Sequence, residues 1–190
     1  MILKPLAPPL VHEAAIVEVE KLPRVEYRVL ATSKTSTMEE ELNEAAEAGF
    51  RFLSVMGGET AVGGKEVVTV MGRSDGTRPR YQYKLVATNK TSTMQRELQE
   101  AADQGFEYLG QTVFESMFGG KEVVCILQRD TDNKTPVAYE YKLMATKKTS
   151  TLENELQEAG DQAYTVVGMT VAKTLVGGTE LVAITRRPVR

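Results

Sequence analysis

Hydrophobic and polar residues follow the same order three times along the chain. Each copy opens with apolar residues at every second position, as in VEYRVLAT at residues 25–32, and this period of two predicts a strand. Met38, Leu42 and Ala46 then fall on one side of a predicted helix in the first copy. Two more apolar stretches follow, FRFLSV and KEVVTVMG, and they predict a second and a third strand. Each copy therefore predicts the element order β-α-β-β.

The copies are tandem repeats of about fifty residues each. A tyrosine in the first strand aligns them and an arginine after the third strand closes them: Tyr27, Tyr83 and Tyr141, then Arg73, Arg129 and Arg187. We predict repeats at residues 25–73, 81–129 and 139–187, joined by the polar linkers SDGTRP and DTDNKTP, which are typical of loops. Residues 1–24 are predicted to form an N-terminal arm, whose extra strand at residues 12–20 would cover an open sheet edge.

The third strand of each repeat is apolar on both faces. In the first copy Val68 and Val70 share one face, and the opposite face carries Val67 and Met71. The single helix of a repeat covers only one face, so the other face needs a different cover. We predict an α+β fold in which three mainly antiparallel sheets pack together in a pseudo-threefold arrangement, with the helices outside. A linear array of repeats is the alternative geometry.

Glycines mark the expected helix ends. Gly49 and Gly105 stand where the residue after a helix commonly adopts a left-handed backbone conformation. The third copy has Ala163 at this position, so its helix end is predicted to differ from the other two.

Composition and charge limit the classes of function. The chain has 190 residues, of which 42% are hydrophobic, and a net charge of −3, as is ordinary for a soluble globular protein. Phosphate binding needs a clustered positive field, so a nucleic-acid partner is not predicted. No apolar run reaches the roughly 18 residues of a membrane span. Localisation stays open: the cytoplasm is favoured, and a signal removed upstream is the alternative.

Cysteine and histidine each occur once, as Cys125 and His12. Two such residues are too few for a Cys/His zinc site. Cys125 is predicted to be a small buried hydrophobic residue. We predict no metal, no cofactor and no catalytic residue.

A polar heptapeptide, A-T-x-K-T-S-T, stands before every predicted helix. Ser36 precedes Glu39 by three residues, and this spacing predicts a capping box, in which the serine hydroxyl satisfies a free backbone N–H group. Ser92 and Ser150 occupy the same position in the later copies. The cap leaves the lysine and the first threonine of the motif unexplained.

The lysine and the hydroxyl groups also suit a small anion, because a helix N-terminus favours negative charge. The candidate anion-binding residues are a threonine, a lysine and a serine from each copy: Thr32, Lys34, Ser36, Thr88, Lys90, Ser92, Thr146, Lys148 and Ser150. The glycines of a P-loop are missing. A surface ion pair between Lys34 and Glu41, worth at most about 1 kcal/mol, is the alternative role for the lysine.

A second repeated motif, Gly-Gly-x-Glu, opens each third strand. Its glutamates and the closing arginines form a hypothetical charge cluster between the repeats: Glu66, Glu122, Glu180, Arg73, Arg129 and Arg187. The three carboxylates could also form a ring around a threefold axis and bind a hard cation. A solvent-exposed residue at the start of a strand is the plainer interpretation of each glutamate.

The segment YQYKLVATNKTSTMQRELQEAADQGFEYLG resembles small bacterial β-α-β-β domains of unknown function. The matching positions belong to a Y-x-Y-K strand and to a helix that ends in Gly-aromatic-Glu-x-Leu: Tyr81, Tyr83, Lys84, Leu98, Gly105, Phe106, Glu107 and Leu109. The family usually has tryptophan where this chain has Phe50, Phe106 and Tyr164. The resemblance extends over most of residues 25–187, and it implies the fold of each copy without any activity or cofactor.

Three copies of one surface motif, with no unrepeated catalytic set, favour multivalent presentation. We therefore predict a non-enzymatic binding or assembly module, which presents three equivalent surface sites to an unknown protein partner. The alternative is a protein that binds a small anionic ligand, or an enzyme, with sites between repeats that join residues of the Lys34 type to residues of the Glu66 type. The chain would be a monomer or a small homo-oligomer.

Overall fold

A computed structural model of the chain describes residues 24–61, 64–115, 121–173 and 178–189. The first unit consists of β1 (Val25–Thr32), α1 (Thr35–Glu47), β2 (Arg51–Thr60) and β3 (Gly64–Ser74). The second consists of β4 (Tyr81–Thr88), α2 (Thr91–Asp103), β5 (Glu107–Glu115) and β6 (Lys121–Asp130). The third consists of β7 (Tyr139–Thr146), α3 (Thr149–Asp161), β8 (Thr165–Lys173) and β9 (Thr179–Pro188). The predicted α+β fold and the β-α-β-β order are confirmed, whereas the predicted strand at residues 12–20 and His12 lie outside the described residues.

Each unit forms one antiparallel sheet of three strands. The strand orders are β1-β3-β2, β4-β6-β5 and β7-β9-β8, so the third strand of every unit lies in the centre of its sheet. We name these sheets 1, 2 and 3. A central strand is shielded by a neighbour on each side, which suits the strand that is apolar on both faces. In the part of the chain that is described, no helix is long and apolar enough to cross a bilayer.

The three units stack in series. We call the sheet face that carries the unit's own helix the front face, and the opposite face the back face. The front face of each unit packs on the back face of the next. One buried cluster thus combines Leu42 of α1 with Val124 and Ile126 of β6. The equivalent cluster joins Leu98 of α2 to Ile184 of β9, so two similar junctions hold the units together.

The prediction placed all helices outside the packed sheets, but α1 and α2 lie within the two junctions. Besides strands of their own units, α1 contacts β4 and α2 contacts β7. In α1, Met38 and Leu42 are fully buried, whereas Ser36, Glu40 and Glu44 are exposed. Each of these two helices therefore packs its apolar side against the edge of a junction and exposes its polar side to solvent.

The expectation that every sheet is covered on both faces holds for the centre of sheet 2 and fails for sheet 1. Val124 and Ile126 on the back face of sheet 2 are fully buried, but Val68 and Val70 at the same positions of sheet 1 are only half-buried. The reason is the serial stacking. Within the described residues, extensive contacts join consecutive units only, so nothing packs on the back of the first sheet.

The three helices end in the same way, which corrects the prediction for the third. Gly49 and Gly105 have φ angles of 83° and 81°, and Ala163 adopts the same left-handed conformation with φ of 64°. Its N–H donates to the carbonyl of Gly160 at 2.9 Å, and the next N–H donates to Ala159 at 3.0 Å. These two hydrogen bonds form the Schellman pattern and hold the alanine in a conformation that usually requires glycine.

Ala163→Gly is therefore expected to raise the free energy of unfolding by about 0.5–1 kcal/mol. Relief of about 1–2 kcal/mol of left-handed strain exceeds the loss of about 0.5–1 kcal/mol from the freer unfolded chain. Urea denaturation checks the result. Gly105→Ala is the reverse substitution at the same place in the second unit and should destabilise, also because its Cβ would lie 3.2 Å from Pro136 Cγ. A less stable Ala163→Gly variant would contradict the prediction.

Candidate functional site

The repeated heptapeptide forms the turn into each helix. Lys34 is the N-cap of α1, because its carbonyl accepts the N–H of Met38 at 3.2 Å, and no side chain caps the helix. The capping-box prediction is wrong, since Ser36 lies inside the first turn. The same holds for Ser92 and Ser150, because Lys90 and Lys148 are the N-caps of α2 and α3.

The first threonine of the motif fixes this turn. Thr32 Oγ1 accepts the backbone N–H of Lys34 at 3.2 Å and donates to the carbonyl of the same residue at 3.1 Å. Thr88 and Thr146 accept the equivalent N–H groups at 3.2 and 3.4 Å. Such bonds between a hydroxyl and the residue two positions further on stabilise a local turn. The threonines therefore have a structural role that the sequence left open.

The surroundings of the motif's three lysines do not indicate an anion-binding site. Lys34, Lys90 and Lys148 are exposed, and no ion pair among the described residues includes them. The shallow concavity beside the start of α1 is lined in part by the carboxylates of Glu39 and Glu40, which repel negative charge. The anion site stays a prediction, and the pair between Lys34 and Glu41 is not formed.

The closing arginines have other partners than the predicted glutamates. Arg73 forms an ion pair with Glu26 at 2.8 Å and donates to the carbonyl of Ala48 at 2.8 Å. Glu66 instead accepts a hydrogen bond from Thr60 at 2.6 Å. Arg73 and Glu66 do not pair, because they stand at opposite ends of one strand, about 23 Å apart at 3.3 Å per residue.

The later arginines repeat this contact between the sheet and the helix end. Arg187 pairs with Glu140 at 2.7 Å and donates to the carbonyl of Gln162 at 3.1 Å. The guanidinium lowers the pKa of the Glu140 carboxyl, and the carboxylate raises the pKa of Arg187. Arg129 bonds in the same way to the side chain of Gln82. The arginines therefore stabilise each unit separately and do not join the repeats.

The glutamates of the Gly-Gly-x-Glu motif do not meet. Glu66, Glu122 and Glu180 occupy the same strand position in three different sheets. Among the described residues, no three His, Cys, Asp or Glu side chains lie close enough together to hold a metal ion. The hypothetical ring of three carboxylates is therefore not found there.

The junctions depend on polar side chains that the sequence analysis did not single out. β4 is an edge strand, and Asn43 of α1 satisfies the free backbone groups of Tyr83. Its Nδ2 donates to the Tyr83 carbonyl at 3.0 Å, and its Oδ1 accepts the Tyr83 N–H at 2.9 Å. Glu39 accepts the N–H of Leu85 at 2.8 Å. The helix thus takes the place of a neighbouring strand and protects the sheet edge.

The second junction repeats these contacts. Gln99 of α2 accepts the N–H of Tyr141 at 3.0 Å and donates to the carbonyl of Tyr139 at 3.1 Å. Gln95 accepts the N–H of Leu143 at 3.2 Å. An amide therefore recurs at one helix position in every repeat, and this recurrence was the available signal in the sequence.

The tyrosines that align the copies complete each junction from the other side. The hydroxyl of Tyr83 accepts the N–H of Phe52 at 2.7 Å, beside a bulge in β2. The hydroxyl of Tyr141 accepts the N–H of Tyr108 at 3.0 Å, beside the matching bulge in β5. Tyr83 and Tyr141 are almost fully buried, whereas Tyr27, at the same position of the first unit, is 64% exposed.

The buried tyrosines predict a loss of stability in alkali. Burial raises the pKa of Tyr83 to about 12, whereas a tyrosine of the unfolded chain ionises at about pH 10. The unfolded chain therefore loses its proton first, so this contribution is complete below about pH 10 and is lost as the pH rises towards 12. Denaturant unfolding between neutral pH and about pH 12 measures the decline. In Tyr83→Phe the free energy of unfolding should fall less steeply with pH. An unchanged steepness would assign the loss of stability to other groups.

Asn43→Ala is expected to lower the free energy of unfolding by about 1–3 kcal/mol, because the backbone groups of Tyr83 lose their partners in a half-buried junction. Gln157→Ala is the matched control. Gln157 occupies the same helix position in the last unit, where no described strand of another unit lies against α3, so the change should stay within about 0.5 kcal/mol. Equal losses in urea denaturation would contradict the role assigned to Asn43.

In the part of the chain that the structure describes, two sheet faces lack the cover that the junctions give to the others. The back face of sheet 1 carries large hydrophobic side chains with exposed fractions from 41% to 64%: Val25, Tyr27, Val29, Leu53 and Met56. The front face of sheet 3 exposes three more beside α3: Val166, Met169 and Val171. Large contiguous apolar patches are uncommon on monomeric proteins and mark interaction sites. These two uncovered faces are the candidate functional surfaces.

Comparison of the chain with models of known protein families, with curated proteins and with solved structures finds no match. The architecture alone therefore defines its class, which is a tandem array of β-α-β-β units that stack front face to back face. The resemblance of each copy to small bacterial domains stays an expectation.

Proposed function

We propose that the chain is a non-enzymatic binding or assembly module, and that its two uncovered sheet faces are the binding surfaces. One observation carries the proposal. The exposed large hydrophobic side chains of the described residues lie on those two faces, apart from Val137 and Val189. The proposal replaces three equivalent lysine sites by two different surfaces at the ends of the array.

The environments of the ionisable groups favour binding over catalysis. Burial raises the pKa of the Cys125 thiol to about 12, so the thiol stays protonated and acts as a core side chain. Burial also raises the pKa values of Tyr83 and Tyr141, and the hydroxyls of both are engaged at the junctions. Glu66 bonds to Thr60 of its own unit. These contacts support packing roles for residues that a site between the repeats would otherwise use.

An open array of units is the arrangement that we propose in place of a closed pseudo-threefold one. Closure would place α3 against β1, as α1 lies against β4, and would bury Tyr27 as fully as Tyr83. The exposure of Tyr27 and of Met169 supports the open form. An open array presents one front face and one back face to partners.

A binding experiment with three immobilised proteins tests the proposed function. They are the wild-type chain, a Val29→Lys/Met169→Lys variant of the uncovered faces, and a Lys34→Ala/Lys90→Ala/Lys148→Ala variant. Each is incubated with an extract of cells that express the chain naturally, and the retained proteins are identified by mass spectrometry. We expect the wild type and the lysine variant to retain the same proteins and the face variant to lose them. Proteins lost only from the lysine variant would overturn the assignment to the sheet faces.

A further inference from the structure

The two uncovered faces correspond to the two halves of one internal junction. In the first two units the front face packs on a following sheet, and in the last two units the back face receives a preceding one. No described unit packs on the front face of sheet 3 or on the back face of sheet 1. The buried cluster beneath α3 accordingly contains Leu152, Ala159 and Ala183 and, among the described residues, no side chain of another unit.

The polar helix side chains that bond to the next unit have counterparts on α3. Gln157 occupies the helix position of Asn43, and Glu153 occupies that of Glu39. Both Gln157 and Glu153 are exposed, whereas Asn43 and Glu39 bond to the backbone of β4. α3 therefore presents the same kind of edge-binding side chains, with no described strand against them.

The strand residues that accept the preceding unit at a junction have counterparts on β1. Tyr27 and Val29 occupy the positions of Tyr83 and Leu85, whose backbone N–H groups donate to side chains of α1. Among the described residues β1 is likewise an edge strand, paired with β3 on one side only. Its free edge and its exposed tyrosine therefore match what α3 and the bulge at Val166 offer.

The sizes of the side chains at the contact point also compensate each other. At the second junction Tyr108 lies against Gly168, where an added Cβ would come within 2.3 Å of the tyrosine hydroxyl. The corresponding residues of the uncovered faces are Val166 on sheet 3 and Ser54 on sheet 1. The smaller valine leaves room for the larger serine.

The charges at this point are compatible as well. Across the second junction Arg186 forms an ion pair with Glu107 at 3.1 Å. The corresponding residues of the uncovered faces are Gly72 on sheet 1 and Thr165 on sheet 3, and neither is charged. At these two positions, docking would therefore leave no charge without a partner, which is costly where the charge is buried.

We propose that the partner of the uncovered faces is a second copy of this chain, with the front face of sheet 3 of one copy docked on the back face of sheet 1 of the next. The proposal rests on the proposed function as a binding or assembly module, and it names the partner. The interface is heterologous, so it joins copies into open chains or closed rings and not into twofold dimers. In it, α3 of one copy completes the free edge of β1 of the next.

Sedimentation velocity of the full-length chain over a range of concentrations tests this proposal. Val29→Lys blocks the back face and Met169→Lys blocks the front face, at side chains that are 62% and 55% exposed. Lysine at such exposed positions should leave the fold of one copy intact, which circular dichroism checks. Val137→Lys is the matched control, because Val137 is 54% exposed and lies on neither face.

The wild type and Val137→Lys are expected to pass from the monomer of 20.9 kDa to larger species as the concentration rises. Each single face variant should stay monomeric by itself. An equimolar mixture of Val29→Lys and Met169→Lys should form a dimer and nothing larger, because one copy retains only a front face and the other only a back face.

A wild-type chain that stays monomeric at every concentration overturns the proposal, including the case in which the predicted N-terminal arm covers the back face. Association that survives in both face variants, or a mixture that does not dimerise, overturns it too. If the wild type is monomeric but retains other proteins from the extract through these faces, this inference falls and the proposed function stands.

Discussion

Replacing Leu98 by alanine is expected to lower the free energy of unfolding by about 2–5 kcal/mol, which is the range for a fully buried leucine. Leu98 lies on the buried side of α2, in the cluster that joins the second unit to the third. The truncation removes apolar contacts, and the sheets on either side cannot move together far enough to fill the cavity. Urea denaturation of the two proteins measures the loss.

Leu156→Ala is the matched control for this prediction. Leu156 occupies the same helix position in the last unit, but it is only half-buried because no described unit packs on the front face of sheet 3. We expect a loss of about 1 kcal/mol, in proportion to the smaller apolar area that is removed from water. Equal losses for the two leucines would contradict the serial stacking of the units.

Gly57→Ala is expected to disrupt the junction between the first two units and to cost about 1–3 kcal/mol, as overpacking typically does. A Cβ at this position would lie 2.3 Å from the carbonyl oxygen of Val113 and 2.9 Å from Thr112 Oγ1. The carbonyl belongs to the backbone of β5, so relief of the contact requires a shift of the whole strand.

Gly58→Ala, one residue further on, is the control for this substitution. Its Cβ would meet only the end of the Met56 side chain, at 3.9 Å, and the residue is exposed. Its unfolding free energy should change by no more than about 0.5 kcal/mol. Hydrogen exchange of the Tyr83 amide, which bonds to Asn43, should accelerate only in Gly57→Ala. Equal urea midpoints for the two variants would show that the close approach does not limit packing.

The secondary structure of each unit could be predicted from the sequence, but the N-caps of the helices could not. Alternation in VEYRVLAT and helical spacing from Met38 onwards predicted the strand and the helix that the structure contains. The serine of the S-x-x-E pattern nevertheless does not cap the helix. The hydroxyl of Thr32 already fixes the turn at Lys34, so the helix starts before the serine. Two local motifs compete for one turn, and the S-x-x-E pattern represents only one of them.

The stacking order was beyond the sequence for a different reason. Tyr27, Tyr83 and Tyr141 stand in nearly identical local sequences, yet the first is exposed and the other two are buried. Their environments differ only through the place of each unit in the array, which is a long-range property. The recurring amide at Asn43 was visible, but its role as a substitute strand depends on which edge lies next to it.

The repetition of one junction also bears on how many units such a chain can hold. A duplication that inserted a further unit between the second and the third would place it between a front face and a back face that already fit it. Stability would then grow by one more set of nearest-neighbour contacts, as in other linear arrays, while both ends stayed the same. Copy number could therefore change over evolution without any redesign of the surfaces at the ends.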